Sequence, residues 1–145
     1  MTSRLSPRLA EIVAVLPLEP HLRVLEIGCG PGAAARAVAE RLTTGHILAI
    51  DRSRTAIDQL ISSSGDLIAS GRLSARHVAI EDFVVGEGEE PFDLVFAIRV
   101  GALDGRHPEA DRLALERIAA ATRPDARLFV DGGDPLRELV IPRRS

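Results

Sequence analysis

The sequence predicts an α/β fold built on a doubly wound, mostly parallel sheet, and three observations lead there. A short apolar strand, Val24-Leu25-Glu26-Ile27, runs without a break into a glycine turn and then into an alanine-rich helix. Strand-like and helix-like stretches alternate along the rest of the chain, the pattern of parallel strands joined by crossover helices. The 145 residues, 46% of them hydrophobic, suffice for one core and correspond to one domain over residues 1–145.

The turn organises everything around it. Val24, Leu25 and Ile27 are the bulky apolar residues of a buried parallel strand, and Gly28, Gly30 and Gly32 deny the turn any side chains, so that its backbone can lie against a ligand. Pro31 suits a first helical position, and Ala33–Leu42 is a strong helix former whose N-terminus faces the turn. Gly28, Gly30 and Ala33 also satisfy the dinucleotide-binding pattern G-x-G-x-x-G/A. Gly45 ends the helix, His46–Ile50 reads as a second strand, and Asp51 follows 19 residues beyond Gly32, where a carboxylate can accept both hydroxyls of a ribose. An adenosine-containing ligand is implied, NAD or S-adenosylmethionine. Glu26 begins to separate the two: a carboxylate two residues before the first glycine repels a pyrophosphate but attracts an ammonium and a sulfonium.

The segment Glu26-Ile27-Gly28-Cys29-Gly30-Pro31-Gly32 resembles motif I of the class I S-adenosylmethionine-dependent methyltransferases, with no mismatched position. Other stretches resemble the family in its own order. Ala49-Ile50-Asp51 looks like the ribose-binding strand end, Glu81-Asp82 like the acidic pair beside the adenine, and Pro91–Phe96 like the Phe-Asp-Leu-Val strand. Leu115–Ile118 followed by Arg123–Leu128 looks like the helix and turn before strand five. The resemblance covers Val24 to Asp131. It implies a three-layer domain with strand order 3-2-1-4-5, S-adenosylmethionine as cofactor, and a cofactor site of Glu26, Gly28, Cys29, Gly30, Gly32, Asp51, Arg52, Glu81, Asp82, Ile98 and Arg99. It also implies truncation, because the seven-stranded fold of the family continues with two more strands where this chain has only Leu136–Ser145.

The remaining elements follow in order. Leu5, Leu9, Ile12, Val13 and Leu16 recur at helical spacing after Ser6-Pro7, a cap and first position, and Pro17 and Pro20 end that helix. After Asp51, Ser53 is the candidate cap of a helix carrying Ile57, Leu60, Ile61, Leu67 and Ile68, with Ser62-Ser63-Ser64-Gly65 a weak point inside it, so that the stretch reads as one helix or two. Leu73–Ile80 reads as strand three, Gly86–Glu90 as an acidic loop, and Phe92–Ile98 as strand four. Arg99, Val100, Leu103, Asp104, Arg106 and His107 then follow the strand end where the family places the methyl group. His107 is the candidate general base there, its type being the one that titrates near neutrality. Pro108 opens a helix with Leu113, Leu115, Ile118 and Ala119 inward, and Arg127–Val130 is strand five. If the sheet stopped there, strand five would present a bare apolar edge. A homodimer through strand five or the tail is therefore expected, with Leu136, Leu139, Val140 and Ile141 as the cover available within the chain.

Composition narrows the chemistry. All 18 basic residues are arginine, and there is no Lys, Asn, Tyr or Trp, which excludes a Walker lysine, a Schiff-base lysine and an Asn-Pro-Pro-Tyr motif. A net charge of −3, a pI near 5.8 and the lack of stacking aromatics argue against nucleic acid as a partner. Cys29, the single cysteine, reads as a small residue that fits its place, with no disulfide and no metal cluster. No apolar run is long enough to span a bilayer, so a cytoplasmic enzyme is expected, without membrane or metal. The reading is methyl transfer to a small-molecule acceptor. Its alternatives are a non-catalytic S-adenosylmethionine-binding partner or regulatory domain and an NAD-dependent oxidoreductase, the latter lacking any Tyr-x-x-x-Lys pair.

Overall fold

The computed structural model describes residues 5–98, 103 and 105–143. Helix α1 (Pro7–Val15) starts as its sequence dictates: Ser6, extended at φ −67° and ψ 158°, accepts a hydrogen bond from the Leu9 N–H, and Pro7 takes the first position. The chain then alternates through β1 (Arg23–Ile27), α2 (Ala33–Arg41), β2 (His46–Asp51), α3 (Arg54–Ser63), α4 (Gly65–Ala69) and β3 (Leu73–His77). A 3-10 turn (Ile80–Asp82), β4 (Phe92–Ala97), α5 (Pro108–Ala121), β5 (Thr122–Asp131) and β6 (Leu136–Leu139) complete it.

The sheet order is β3-β2-β1-β4-β5-β6. The first five strands are parallel in the expected order, and β6 runs antiparallel along β5, pairing Leu128 with Leu139 and Asp131 with Leu136. This sixth strand goes beyond the five-strand expectation. The bare β5 edge on which the expected homodimer rested is paired from within the chain, and the new edge carries the exposed, charged Arg137 and Glu138. Charge on a short outer strand is a common guard against edge-to-edge association.

The sheet has two dry faces because its strands are buried on both sides. Val24, Ile47, Leu94 and Phe96 pack under α1, α2 and α3 through Ile12, Ala35, Val38, Ile57 and Leu60. Leu25, Leu48, Ile50, Val95 and Leu128 pack under α5 and the 3-10 turn through Ile118, Ala121, Ile80 and Phe83. On α5 the fully buried residues are Ala114, Ile118 and Ala121, while Leu113 and Leu115 are only half-buried, so the inward face is rotated by one residue from the expected one. Small side chains let that helix sit close to the sheet.

Other boundaries shift for local reasons. Ser53 caps α3 by accepting from the Ala56 N–H, and the helical run does divide at Ser64, giving α3 and α4. Strand β3 stops at His77 rather than Ile80, because Ala79 leads straight into the 3-10 turn. Between Phe92↔Thr122 and Leu94↔Arg127 the register jumps, so Arg123–Ala126 loop out of the ladder. No described helix is long and apolar enough to cross a membrane.

Candidate active site

The glycine turn leaves β1 and enters α2 at the C-terminal edge of the sheet. Gly28, Gly30 and Gly32 adopt φ of 71°, 56° and 97°, in the left-handed region that a side chain resists. Helix α2 starts at Ala33 with Gly32 as its cap, so Pro31 lies within the turn and not at the first helical position. The three glycines differ in their surroundings. A Cβ on Gly32 would lie 2.7 Å from Leu60 Cγ, whereas a Cβ on Gly30 would meet nothing within 4 Å. Gly32 is glycine for packing as well as conformation; Gly30 faces open space beside the turn.

The turn is tied to the end of β2. The Gly28 and Cys29 N–H groups both donate to the Ile50 carbonyl, at 2.9 and 3.1 Å. Asp51 carries the rest: Oδ2 accepts from the Gly30 N–H at 2.9 Å and Oδ1 from the Ser53 N–H at 2.8 Å. A carboxylate has about four acceptor sites, so two remain for hydroxyl donors. From the β3 side the Val78 N–H donates to the Asp51 carbonyl, and His77 Nε2 lies 3.0 Å from the Arg52 carbonyl. The end of β2 is thus held from both flanks.

Glu26 lies beneath the turn. It is 2% exposed, on the face of β1 that it shares with Val24, between Ala49 of β2 and Phe96 of β4 in the pairing register. Its Oε1 is buried and has no hydrogen-bond partner. Burial, with the Asp51 charge adding to it, pushes the carboxyl up to about 8 from an ordinary 4.5. Burial pushes the Cys29 thiol up as well, followed by the Glu26 and Asp51 charges. A thiol held in its neutral form is a poor nucleophile, in keeping with Cys29 as a fitting residue. A buried carboxyl oxygen without a donor is costly unless something cationic or donating completes it.

The other expected residues divide. Gly28, Cys29, Gly30, Gly32, Asp51 and Arg52 come together around the turn, with Glu26 below it. Ile98 is buried at the end of β4, next to β1. Glu81 and Asp82 lie on the 3-10 turn after β3, Glu81 half-buried and Asp82 exposed, and Arg117 of α5 fastens that turn by donating to the Glu81 carbonyl at 3.0 Å. His107 is the exposed N-cap position of α5 and makes no side-chain cap bond. Arg99, Val100 and Asp104 lie outside the described residues. His77 was not singled out from sequence, since a histidine at a strand end carries no motif. Among the described residues no group of three His, Cys, Asp or Glu side chains could hold a metal.

A mostly parallel sheet with a glycine turn after β1 and an acidic end to β2 puts the domain in the Rossmann-like class of α/β folds. The chain belongs to the methyltransferase domain family, whose pattern matches residues 24–125. It is 30% identical over 131 residues to a trans-aconitate 2-methyltransferase of Methylobacterium nodulans, covering 89% of this chain and 45% of that protein. With its counterpart from Streptomyces avermitilis it shares 32% over 83 residues, 57% of this chain and 29% of the relative. The chain therefore spans less than half the length of these relatives. Among solved structures it resembles an S-adenosylmethionine-dependent methyltransferase from Geobacter sulfurreducens in complex with S-adenosylhomocysteine, with TM-score 0.65, 21% identity and coverage of 90% and 49%. It also resembles the [4+2]-cyclase SpnF, with TM-score 0.68, 24% identity and coverage of 85% and 43%. The fold by itself thus leaves the chemistry open.

Proposed function

We propose that this domain binds S-adenosylmethionine at the C-terminal ends of β1 and β2 and serves methyl transfer to a small-molecule acceptor. The observation that carries the reading is Glu26: a buried carboxyl with an unpartnered oxygen beneath a glycine turn. The ammonium of an amino-acid moiety would draw the buried group into its carboxylate form and pair with it, whereas a pyrophosphate would hold it protonated and gain no charge partner, which argues for S-adenosylmethionine over NAD. Asp51 keeps lone pairs for the ribose hydroxyls, and Gly30 leaves room for a ligand to approach the backbone.

When bound, the sulfonium supplies a methyl group already activated for displacement. The chain's own residues then have to bind, orient and exclude water, and a dedicated base is optional. The names of the relatives extend the proposal to carboxylic acids as acceptors. A carboxylate oxygen is already deprotonated at neutral pH and needs no proton removed, so His107 has no required part in attacking the methyl. The compartment we assign is the cytoplasm, where the cofactor is available.

Calorimetry with S-adenosylhomocysteine and with NAD tests the binding step, and methyl release from labelled S-adenosylmethionine in the presence of trans-aconitate tests the reaction. S-adenosylhomocysteine is expected to bind and NAD not to. NAD binding alone would reverse the assignment, and S-adenosylhomocysteine binding without turnover on any acid would favour a non-catalytic binding domain.

A further inference from the structure

We propose that Arg8 is a specificity-determining residue of this domain, a guanidinium that takes a carboxylate of the acceptor and rests on Asp131 when no acid is present. The proposal builds on the methyltransferase reading above and names the acceptor chemistry on this chain's own residues.

Arg8 is the second residue of α1, and its Nη2 lies 3.9 Å from Oδ2 of Asp131, the last residue of β5. That contact brings the Arg8 guanidinium to the C-terminal end of β5. The helix then runs down the face, burying Ile12 and Val13 against the core. Ligands of open α/β sheets bind outside the carboxyl ends of the strands, at the point where the strand order reverses, here between β1 and β4. Asp51 ends β2 and commits the β1–β2 half of that edge to the cofactor. The β4–β5 half is left for the acceptor, and Arg8 and Asp131 stand there.

Nothing in the fold requires a cation at this position. The first turn of a helix has a field that favours anions and disfavours arginine. The ion pair is near the limit of such contacts, its side chains are 48% and 26% exposed, and pairs of that kind contribute little to stability. A guanidinium held so loosely exchanges partners at small cost. A substrate carboxylate could take two parallel N–H donors from its fork, and the helix field would favour the incoming anion.

The composition points the same way. With no lysine in the chain, arginine is the side chain that meets an acid with a permanent positive charge and a fork of donors. Arg52 follows Asp51 on the cofactor half, Arg137 sits on β6, one strand farther out than β5, and Arg99 and Arg106 belong in sequence to the segment after β4. The structure places the Arg8 guanidinium at the end of β5, against Asp131.

The two members of the pair make opposite predictions, because Asp131 competes for Arg8 and repels the acid. Titrating trans-aconitate into the protein loaded with S-adenosylhomocysteine should show Arg8→Gln weakening the acid roughly ten-fold or more. Arg8→Lys should fall in between, and Asp131→Asn should tighten it. S-adenosylhomocysteine affinity and the circular dichroism spectrum, expected to be unchanged in all three variants, control for folding. Equal affinities in wild type and Arg8→Gln, or a shift in the same direction for Arg8→Gln and Asp131→Asn, would overturn the proposal. So would a wild-type protein that binds S-adenosylhomocysteine but no trans-aconitate, which leaves the methyltransferase reading standing. Failure to bind S-adenosylhomocysteine at all would sink that reading instead.

Discussion

At the scale of single residues, Glu26 has consequences for pH that follow from its burial alone. The folded protein keeps the Glu26 carboxyl protonated up to about pH 8, while the unfolded chain releases that proton near 4.5. Between those values the native state binds the extra proton. Its contribution to stability is therefore complete below about 4.5 and is lost as pH rises through 8, with a slope of at most about 1.4 kcal/mol per pH unit. Thermal melts of the empty protein should show a downward trend over that window, and Glu26→Gln, which keeps the shape without the charge, should flatten it. A cationic ligand that pairs with Glu26 must expel the proton, so S-adenosylhomocysteine should bind more tightly as pH approaches 8. Calorimetry in buffers of different ionisation enthalpy would register the proton, and binding enthalpies independent of buffer would refute the pairing.

Asp51 acts by geometry instead: its two oxygens hold the Gly30 and Ser53 N–H groups, and in the proposed reading it also takes the ribose hydroxyls. Asp51→Ala should cost roughly 1.5–3 kcal/mol of cofactor affinity, the range for hydrogen bonds to a charged group. It should also lower the melting temperature of the empty protein, because two turn amides lose their acceptor. Affinity left intact despite a lower melting temperature would confine Asp51 to bracing the turn.

At the scale of elements, the glycine turn separates conformation from packing. Gly30→Ala places a methyl group in space the protein leaves open, at a φ of 56° that costs about 1–2 kcal/mol for a residue with a Cβ. The variant should fold, melt a little lower and bind S-adenosylhomocysteine poorly. Gly32→Ala adds to a comparable strain a collision with Leu60, so it should lose markedly more stability. Melting temperatures for the pair provide the check, and equal losses would mean that Leu60 moves aside freely.

The same turn shows why much of this fold was legible. Strong periodic signals became elements: Ser6-Pro7 capped α1, Ser53 capped α3, and the serine run divided α3 from α4. What stayed hidden depended on contacts distant in sequence. The cap of α2 moved to Gly32 because the turn as a whole takes up positive φ, and β3 ended early where the chain folds into the 3-10 turn below the cofactor edge. The cover of β5 by the tail was legible as a short helix or strand, but which of the two was not. Leu136-Arg137-Glu138-Leu139 is too short to declare a strand by pattern, and only the unpaired edge of β5 makes it one. The pairing of Arg8 with Asp131, more than a hundred residues apart in sequence, had no local signal at all.

At the scale of the whole molecule, β6 is what separates this sheet from a sticky one. Strand β5 is buried through Leu128, Phe129 and Val130, and its outer ladder is satisfied by four antiparallel pairs from Leu136–Leu139. Arg127 and Glu138 lock the two strands across that ladder, with contacts of 2.8 and 2.9 Å in a fork-to-carboxylate arrangement. The guanidinium of Arg127 also lies 5.0 Å from the Phe129 ring centre. Ile141 then folds back under the sheet, and Arg143 reaches the Ala119 and Arg123 carbonyls at the end of α5. The tail thus covers an edge, fills a core position and caps a helix. Deleting Leu136–Ser145 would remove all three at once and leave an apolar strand with open N–H and C=O groups. The truncated protein should associate or precipitate at micromolar concentration, as light scattering would show. Glu138→Arg should be milder, breaking the ion pair and placing two cations side by side while keeping the backbone ladder and lowering only the melting temperature. If the deletion variant stays monodisperse at its original size with an unchanged melting temperature, β6 is dispensable and the edge of β5 needs no cover.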